Sequence, residues 1–196
     1  MIKLSLIDFI RNKNYTDIEL KADVLDVQGK YYNKNGAYDK AIEYYLKSLE
    51  LKKQIGDSHI VALAYDHLGD IYKKNGDFIK ALDNYKEYLE IRKLRGEKKE
   101  VGQMLNSIGY LHLNFGMHSQ ALEYFHRSLK IREEIGDKIG ASYCFNNIAT
   151  VYKRQGKPDV ALEYYNKSLK IREDIKFDKG ISVSLNNIGV VYKNTK

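Results

Sequence analysis

A chain of 196 residues, 43% hydrophobic and 30% charged, is long enough to bury a core and too apolar to remain disordered. A single proline, no glycine period and one cysteine, Cys144, exclude collagen-like and proline-rich chains, disulfide scaffolds and cysteine-based zinc fingers. With 33 Lys+Arg against 26 Asp+Glu the net charge is +7, which favours acidic partners without naming one, and no apolar stretch is long enough to span a membrane as a helix.

The first residues, Met1-Ile2-Lys3-Leu4-Ser5-Leu6-Ile7-Asp8-Phe9-Ile10, have the charge and apolarity of a short leader. Asp8 interrupts the run, however, and Arg11-Asn12-Lys13-Asn14 follows in place of small residues. A cytoplasmic protein is expected, with residues 1–21 as an N-terminal cap segment in which 1–14 form a short covering helix. From residue 22 the sequence repeats itself every 40 residues. Gly36, Gly76, Gly116 and Gly156 form one series, and Ala41, Ala81, Ala121 and Ala161 a second. Gly29, Gly69, Gly109 and Gly189 form a third, with Ala149 in the remaining place. Tyr45, Tyr85, Phe125 and Tyr165 form a fourth, and Leu49, Leu89, Leu129 and Leu169 a fifth. Four units follow, 22–61, 62–101, 102–141 and 142–181, with 182–196 as a capping helix or a truncated fifth repeat.

Each unit reads as two helices. In the third, Leu105, Ile108, Gly109, Leu111 and His112 are apolar or small at three-to-four spacing; Gly116 breaks the run; Ala121, Leu122, Phe125, Leu129 and Ile131 resume it. Gly136-Asp137 ends one helix and caps the next, and Pro158 suits a first helical turn. Small residues such as Gly69 and Ala81 let two antiparallel helices approach closely, with the aromatic series beside them. A hairpin with one apolar face must stack to bury it, so the expected fold is an all-α, right-handed solenoid. Leu185, Ile188 and Val191 are expected to face back onto the fourth unit.

The pattern Leu68-Gly69-x-x-Tyr72, then Gly76, Ala81 and Tyr85, resembles the tetratricopeptide repeat, over roughly residues 22–196. The period of 40 exceeds the usual figure of about 34, and Leu25, Tyr65, Leu105, Phe145 and Leu185 stand where the usual tryptophan would. Leu185-Asn186-Asn187-Ile188-Gly189 is similar to the longer repeats of kinesin light chains, spindle-orientation adaptors and bacterial Rap-type regulators. The resemblance implies a protein-interaction scaffold whose first helices line a concave groove for a peptide or partner helix. A scaffold does not fix its ligand. The alternative is the sensory or regulatory region of a larger signalling protein, a histidine kinase or a transcription regulator. Lys-, Ile-, Asn- and Tyr-rich usage points to an AT-rich, bacterial source.

The candidate groove comes from rows on the first helices. One row is Asp26, Asp66, Asn106, Asn146 and Asn186; the next is Val27, His67, Ser107, Asn147 and Asn187; one turn on lie Lys30, Asp70, Tyr110, Thr150 and Val190. Asparagine offers a donor and an acceptor to an extended main chain, or to a neighbouring helix. Asp23, Asp26, Asp66 and Asp70 make the early rows acidic, so a ligand with a basic end there is expected. A basic edge, Lys73, Lys74, Lys153, Arg154 and Lys193 with Lys34, either grips an acidic ligand or complements helix dipoles. The Lys/Asn/Arg clamp of chaperone-binding repeats is absent at Asp26, Lys30, His67, Gln103 and Ser107.

Catalytic and cofactor signals are missing. His59, His67, His112, His118 and His126 lack metal spacing, and no GxxxxGK[ST], GxGxxG or HExxH occurs. Glu133-Glu134 and Glu173-Asp174 recur at matched repeat positions, as solvated faces do. His112 and Cys144 are expected to be packed, and Tyr44, Tyr124 and Tyr164 to pack between repeats. No enzyme activity, cofactor, metal, nucleic acid or membrane is expected. The partner is a protein or peptide, with self-association through the solenoid ends as a further outcome.

Overall fold

The computed structural model describes residues 16–194, so the expected covering helix over 1–14 lies outside them. The described residues form nine α-helices and no strand: α1 (Asp17–Lys34), α2 (Tyr38–Ile55), α3 (Ser58–Lys74), α4 (Phe78–Leu94), α5 (Lys98–Asn114), α6 (His118–Glu134), α7 (Lys138–Arg154), α8 (Pro158–Asp174) and α9 (Asp178–Asn194). The chain divides into two compact units, Met1–Ile91 and Arg92–Lys196.

Local chemistry sets the helix ends. Thr16 opens α1 with a capping box: its hydroxyl accepts from the Glu19 N–H, and the Glu19 carboxylate accepts from the Thr16 N–H at 2.8 Å. Asp137 caps α7 by accepting the Gly140 N–H at 2.8 Å, and Pro158 occupies the first turn of α8. The break inside each hairpin is a glycine in the left-handed region, as at Gly116 (φ 72°). Between hairpins Gly56, Gly96 and Gly136 do the same, but the fourth such place holds Lys176 at φ 54°.

In the first unit, α1 and α2 meet where the Tyr45 ring lies on Gly29; a Cβ there would sit 2.7 Å from the ring. Ala41 and Ala81 are fully buried. In the second unit, Phe125 lies on Gly109 in the same way, again at 2.7 Å from a Cβ. Its core runs from one hairpin to the next: Leu113 of α5, Phe125 and Leu129 of α6, and Cys144, Ile148 and Val151 of α7 form one buried cluster. Ala149, Ala161, Tyr165 and Val191 form another, joining α7, α8 and α9.

Three details differ from the sequence reading. Tyr44, Tyr124 and Tyr164 each stack on a ring of their own hairpin, and Tyr164 also packs against the cluster shared with the preceding repeat. Tyr44 stacks on Tyr32 at 5.2 Å, Tyr124 on His112 at 5.2 Å and Tyr164 on Tyr152 at 5.5 Å, because positions 12 apart face each other across the short hairpin loop. Leu185 is 53% exposed. Buried Ser184 takes the inward position and accepts a hydrogen bond from Arg172.

The third is a series of buried cations that periodicity alone did not reveal: Lys52, Arg92, Arg132 and Arg172. Lys52 pairs with Asp26, Arg92 with Glu97 and Arg132 with Asp137. For Arg172 the residue five places on is Phe177, and the guanidinium instead donates to Ser142, Ser184 and the Gly180 carbonyl beneath the Tyr143 ring. Burial lowers its pKa, against the pull of Tyr143.

Two stability outcomes follow from this packing. Gly109→Ala should destabilise by about 1–3 kcal/mol through overpacking against Phe125. Gly189→Ala, whose Cβ would meet nothing within 4 Å, should stabilise by up to about 1 kcal/mol through helix propensity. Equal thermal-denaturation shifts would refute the ring-on-glycine account. Lys176→Gly should raise stability by about 1 kcal/mol by relieving a side chain held at positive φ, and an unchanged urea midpoint would contradict it.

Candidate binding face of the first helices

In the second unit the asparagine rows form rungs between successive first helices. Asn147 Nδ2 of α7 donates to Asn106 Oδ1 of α5 at 2.9 Å, and Asn187 Nδ2 of α9 donates to Asn146 Oδ1 of α7 at 2.8 Å. Each rung joins residues 41 apart, one repeat plus one position. The Cys144 thiol makes a weak 3.8 Å contact with Asn106 Oδ1 and a 3.2 Å one with Ser128, and burial raises its pKa. Each amide spends one end on the stack. The Nδ2 groups of Asn106 and Asn146 and the Oδ1 atoms of Asn147 and Asn187 make no hydrogen bond among the described residues. The stacking and ligand readings of these asparagines are therefore compatible in one arrangement.

The third row serves the core as well. The Thr150 hydroxyl lies 2.9 Å from the Asn146 carbonyl and 3.0 Å from the buried Tyr165 hydroxyl. Asp70, at the matching place in the first unit, accepts from the Tyr85 hydroxyl at 2.6 Å and from Lys73 at 2.6 Å. Burial opposes ionisation of Asp70, but the hydrogen bonds from Lys73 and Tyr85 outweigh it and hold the carboxyl below its ordinary range. Burial and the same Asp70 bond push the Tyr85 hydroxyl far up. Tyr110 is half exposed, and the residue matching Tyr85 and Tyr165 in its hairpin is Phe125, which has no hydroxyl to satisfy. Asn186 is exposed and Asp66 half-buried.

The basic edge is divided between tasks. Lys73 is held by Asp70, Lys74 donates to Asn33 Oδ1 at 3.0 Å, and Arg154 donates to the Leu113 carbonyl at 2.9 Å, capping the end of the neighbouring first helix. Lys153 and Lys193 keep no such partner among the described residues. Sequence reasoning missed a buried hydroxyl series. Ser48, Ser128 and Ser168 donate to the carbonyls of Ala22, Gly102 and Ser142 at 3.1, 2.7 and 2.8 Å, tying each second helix to its own first helix. Their spacing of 80 and 40 residues was the available signal. Among the described residues no group of three or more His, Cys, Asp or Glu could hold a metal ion, and no helix is long and apolar enough to cross a membrane.

His67 is packed against Tyr45 at 5.6 Å. Burial holds it below its ordinary value of 6.5, against the raising influence of Asp26 and Asp70; Lys30 and Lys52 add to the lowering. The unfolded chain therefore binds the proton more readily, and stability is lost as pH falls below about 6.5. His67→Gln should flatten the urea-measured stability between pH 7 and about 5, and an unchanged slope would contradict this assignment.

The family pattern of the tetratricopeptide repeat matches residues 22–93 and 100–174. No curated protein matches the sequence. Among solved structures, a Signal Transduction ATPase with Numerous Domains protein with a tetratricopeptide repeat sensor, from Pyrococcus horikoshii, superposes with a TM-score of 0.82 at 21% identity, over 97% of this chain and 30% of its own. The apo form of RapI gives 0.83 at 17% identity, over 97% of this chain and 53% of its own. A Rap protein complexed with Competence and Sporulation Factor gives 0.68 at 16% identity, over 92% and 50%. The chain thus spans about a third of the first of these and about half of the others, and at such identities the likeness is one of fold. Repeat pattern, helical pairing and family match agree: the chain belongs to the tetratricopeptide repeat family.

Proposed function

We propose that the chain is a protein-interaction scaffold whose second unit holds an extended peptide or a partner helix along the first-helix face of α5, α7 and α9. The asparagine rungs carry this reading. They fix free donors at Asn106 and Asn146 and free acceptors at Asn147 and Asn187 in register, already ordered, so a ligand main chain meets them at little entropic cost. Asn186 and Tyr110 border the same face, and Lys153 and Lys193 lie at its basic edge. In the first unit, Asp66, His67 and Asp70 occupy matching rows with a different, acidic chemistry. The Rap protein solved with Competence and Sporulation Factor is support by analogy of fold.

A second reading, a sensory region within a larger signalling protein, is favoured by one observation. The Pyrococcus structure carries such repeats as a sensor and is covered over 30% of its length.

The test keeps the rungs and removes only the free donors. In the Asn106→Asp/Asn146→Asp double variant, Oδ1 still accepts each rung while Nδ2 is gone. A partner captured by the wild-type chain should bind this variant about tenfold or more weakly, with helicity and melting temperature retained. Equal capture by both proteins would move the binding surface off this face.

A further inference from the structure

The rung position has a counterpart in the first unit, and there the rung is open. Asp26 of α1 and His67 of α3 are separated by the same 41 residues as the bonded asparagine pairs. No hydrogen bond joins them: Asp26 Oδ1 and His67 Nδ1 are both buried without a partner. Asp26 is only 8% exposed, and its other oxygen is taken by Lys52 at 2.5 Å. Both residues line a cleft of about 320 Å³ between α1, α2 and α3, within the first unit.

The cleft has two kinds of wall. Ala22, Ile55, Ile60 and Leu63 are apolar. Glu19, Asp23, Asp26 and Lys30 run down one face of α1, with Lys52 opposite. Glu19 is occupied by Thr16 and Lys52 by Asp26, whereas Asp23 and Lys30 make no hydrogen bond or ion pair among the described residues. The ionised groups sum to one negative charge, since burial keeps His67 neutral near pH 7.

We infer that this cleft binds a primary ammonium carried on an aliphatic stem, the ammonium bridging Asp26 Oδ1 and His67 Nδ1 beside Asp23, the stem lying against Ile55, Ile60 and Leu63. The chemistry selects a compact cation. With one Asp26 oxygen committed to Lys52, a guanidinium has no carboxylate fork to meet in bidentate fashion, while a point charge needs one oxygen. Neutral His67 supplies the second acceptor in its Nε2–H tautomer. A proton competes for the same place: charged His67 repels the guest and can itself donate to Asp26, closing the rung. The groups around His67 are Asp26 and Lys30 from α1, Lys52 and Tyr45 from α2, and Asp70 on its own helix. The site involves none of the asparagines and stands whether or not they bind a ligand.

Amide chemical shifts of the full chain test it, with Nα-acetyl-lysine methylamide as the probe. Saturable shifts at Asp23, Asp26 and His67 are expected in the millimolar range, lost as pH drops through the His67 titration. The uncharged Nε-acetylated analogue should bind about tenfold or more weakly, and the arginine analogue more weakly than lysine. Asp23→Asn, at an exposed position without a partner among the described residues, should weaken binding about threefold or more at unchanged melting temperature. Tighter binding of 1,4-diaminobutane would support the site with a free amine as its source, and tighter binding of the lysine derivative would support it with a partner's side chain. No saturable shift, shifts centred in the second unit, or equal binding by the neutral or arginine analogue would overturn the inference.

Discussion

Each hairpin depends on one close approach, an aromatic ring seated on a residue with little or no side chain. Tyr45 on Gly29 and Phe125 on Gly109 bring two helix backbones together at the point where a Cβ would collide. Once the helices are that close, the alanines at 41, 81, 121 and 161 are sealed from water. Ser48, Ser128 and Ser168 then reach the carbonyls of the facing helix. Removing the ring would therefore cost the aromatic's own burial and also the geometry on which those buried hydrogen bonds rest.

The buried cations show how the same scaffold tolerates different electrostatic solutions. Lys52, Arg92 and Arg132 each meet a carboxylate; Arg172 meets hydroxyls, a carbonyl and an aromatic face. A buried ion pair offsets desolvation by Coulomb attraction, whereas Arg172 relies on dipoles and a ring quadrupole, which compensate less. The junction that lost its acid also lost its glycine, with Lys176 and Phe177 where the third unit has Gly136 and Asp137. Both changes fall on the turn leading into α9.

The rung position is filled in two different ways. Where both partners are asparagine, a neutral hydrogen bond crosses between first helices and leaves one end of each amide without a bond among the described residues. Where they are Asp26 and His67, no hydrogen bond joins the pair, and Asp26 Oδ1 and His67 Nδ1 are both left without a partner. One position in the repeat thus carries two chemistries, decided by which side chains it holds.

The helices, their pairing and the family were legible in the order of the amino acids. A 40-residue period of glycine, alanine and aromatic residues leaves few ways to bury its apolar faces, so hairpin stacking could be read without coordinates. It also placed the rows of Asp66, Asn106 and Asn146 on one kind of helix. What those side chains bond to emerged from contacts between helices. Asp70 and Thr150 turn out to satisfy buried tyrosine hydroxyls, Arg154 caps a neighbouring helix, and the asparagines bond to one another. Periodicity reports which face a residue occupies; it cannot report which atom across a helix interface lies within 3 Å, because that depends on the crossing of two helices far apart in sequence. The stacking of Tyr44 on Tyr32 and the outward turn of Leu185 were hidden for the same reason.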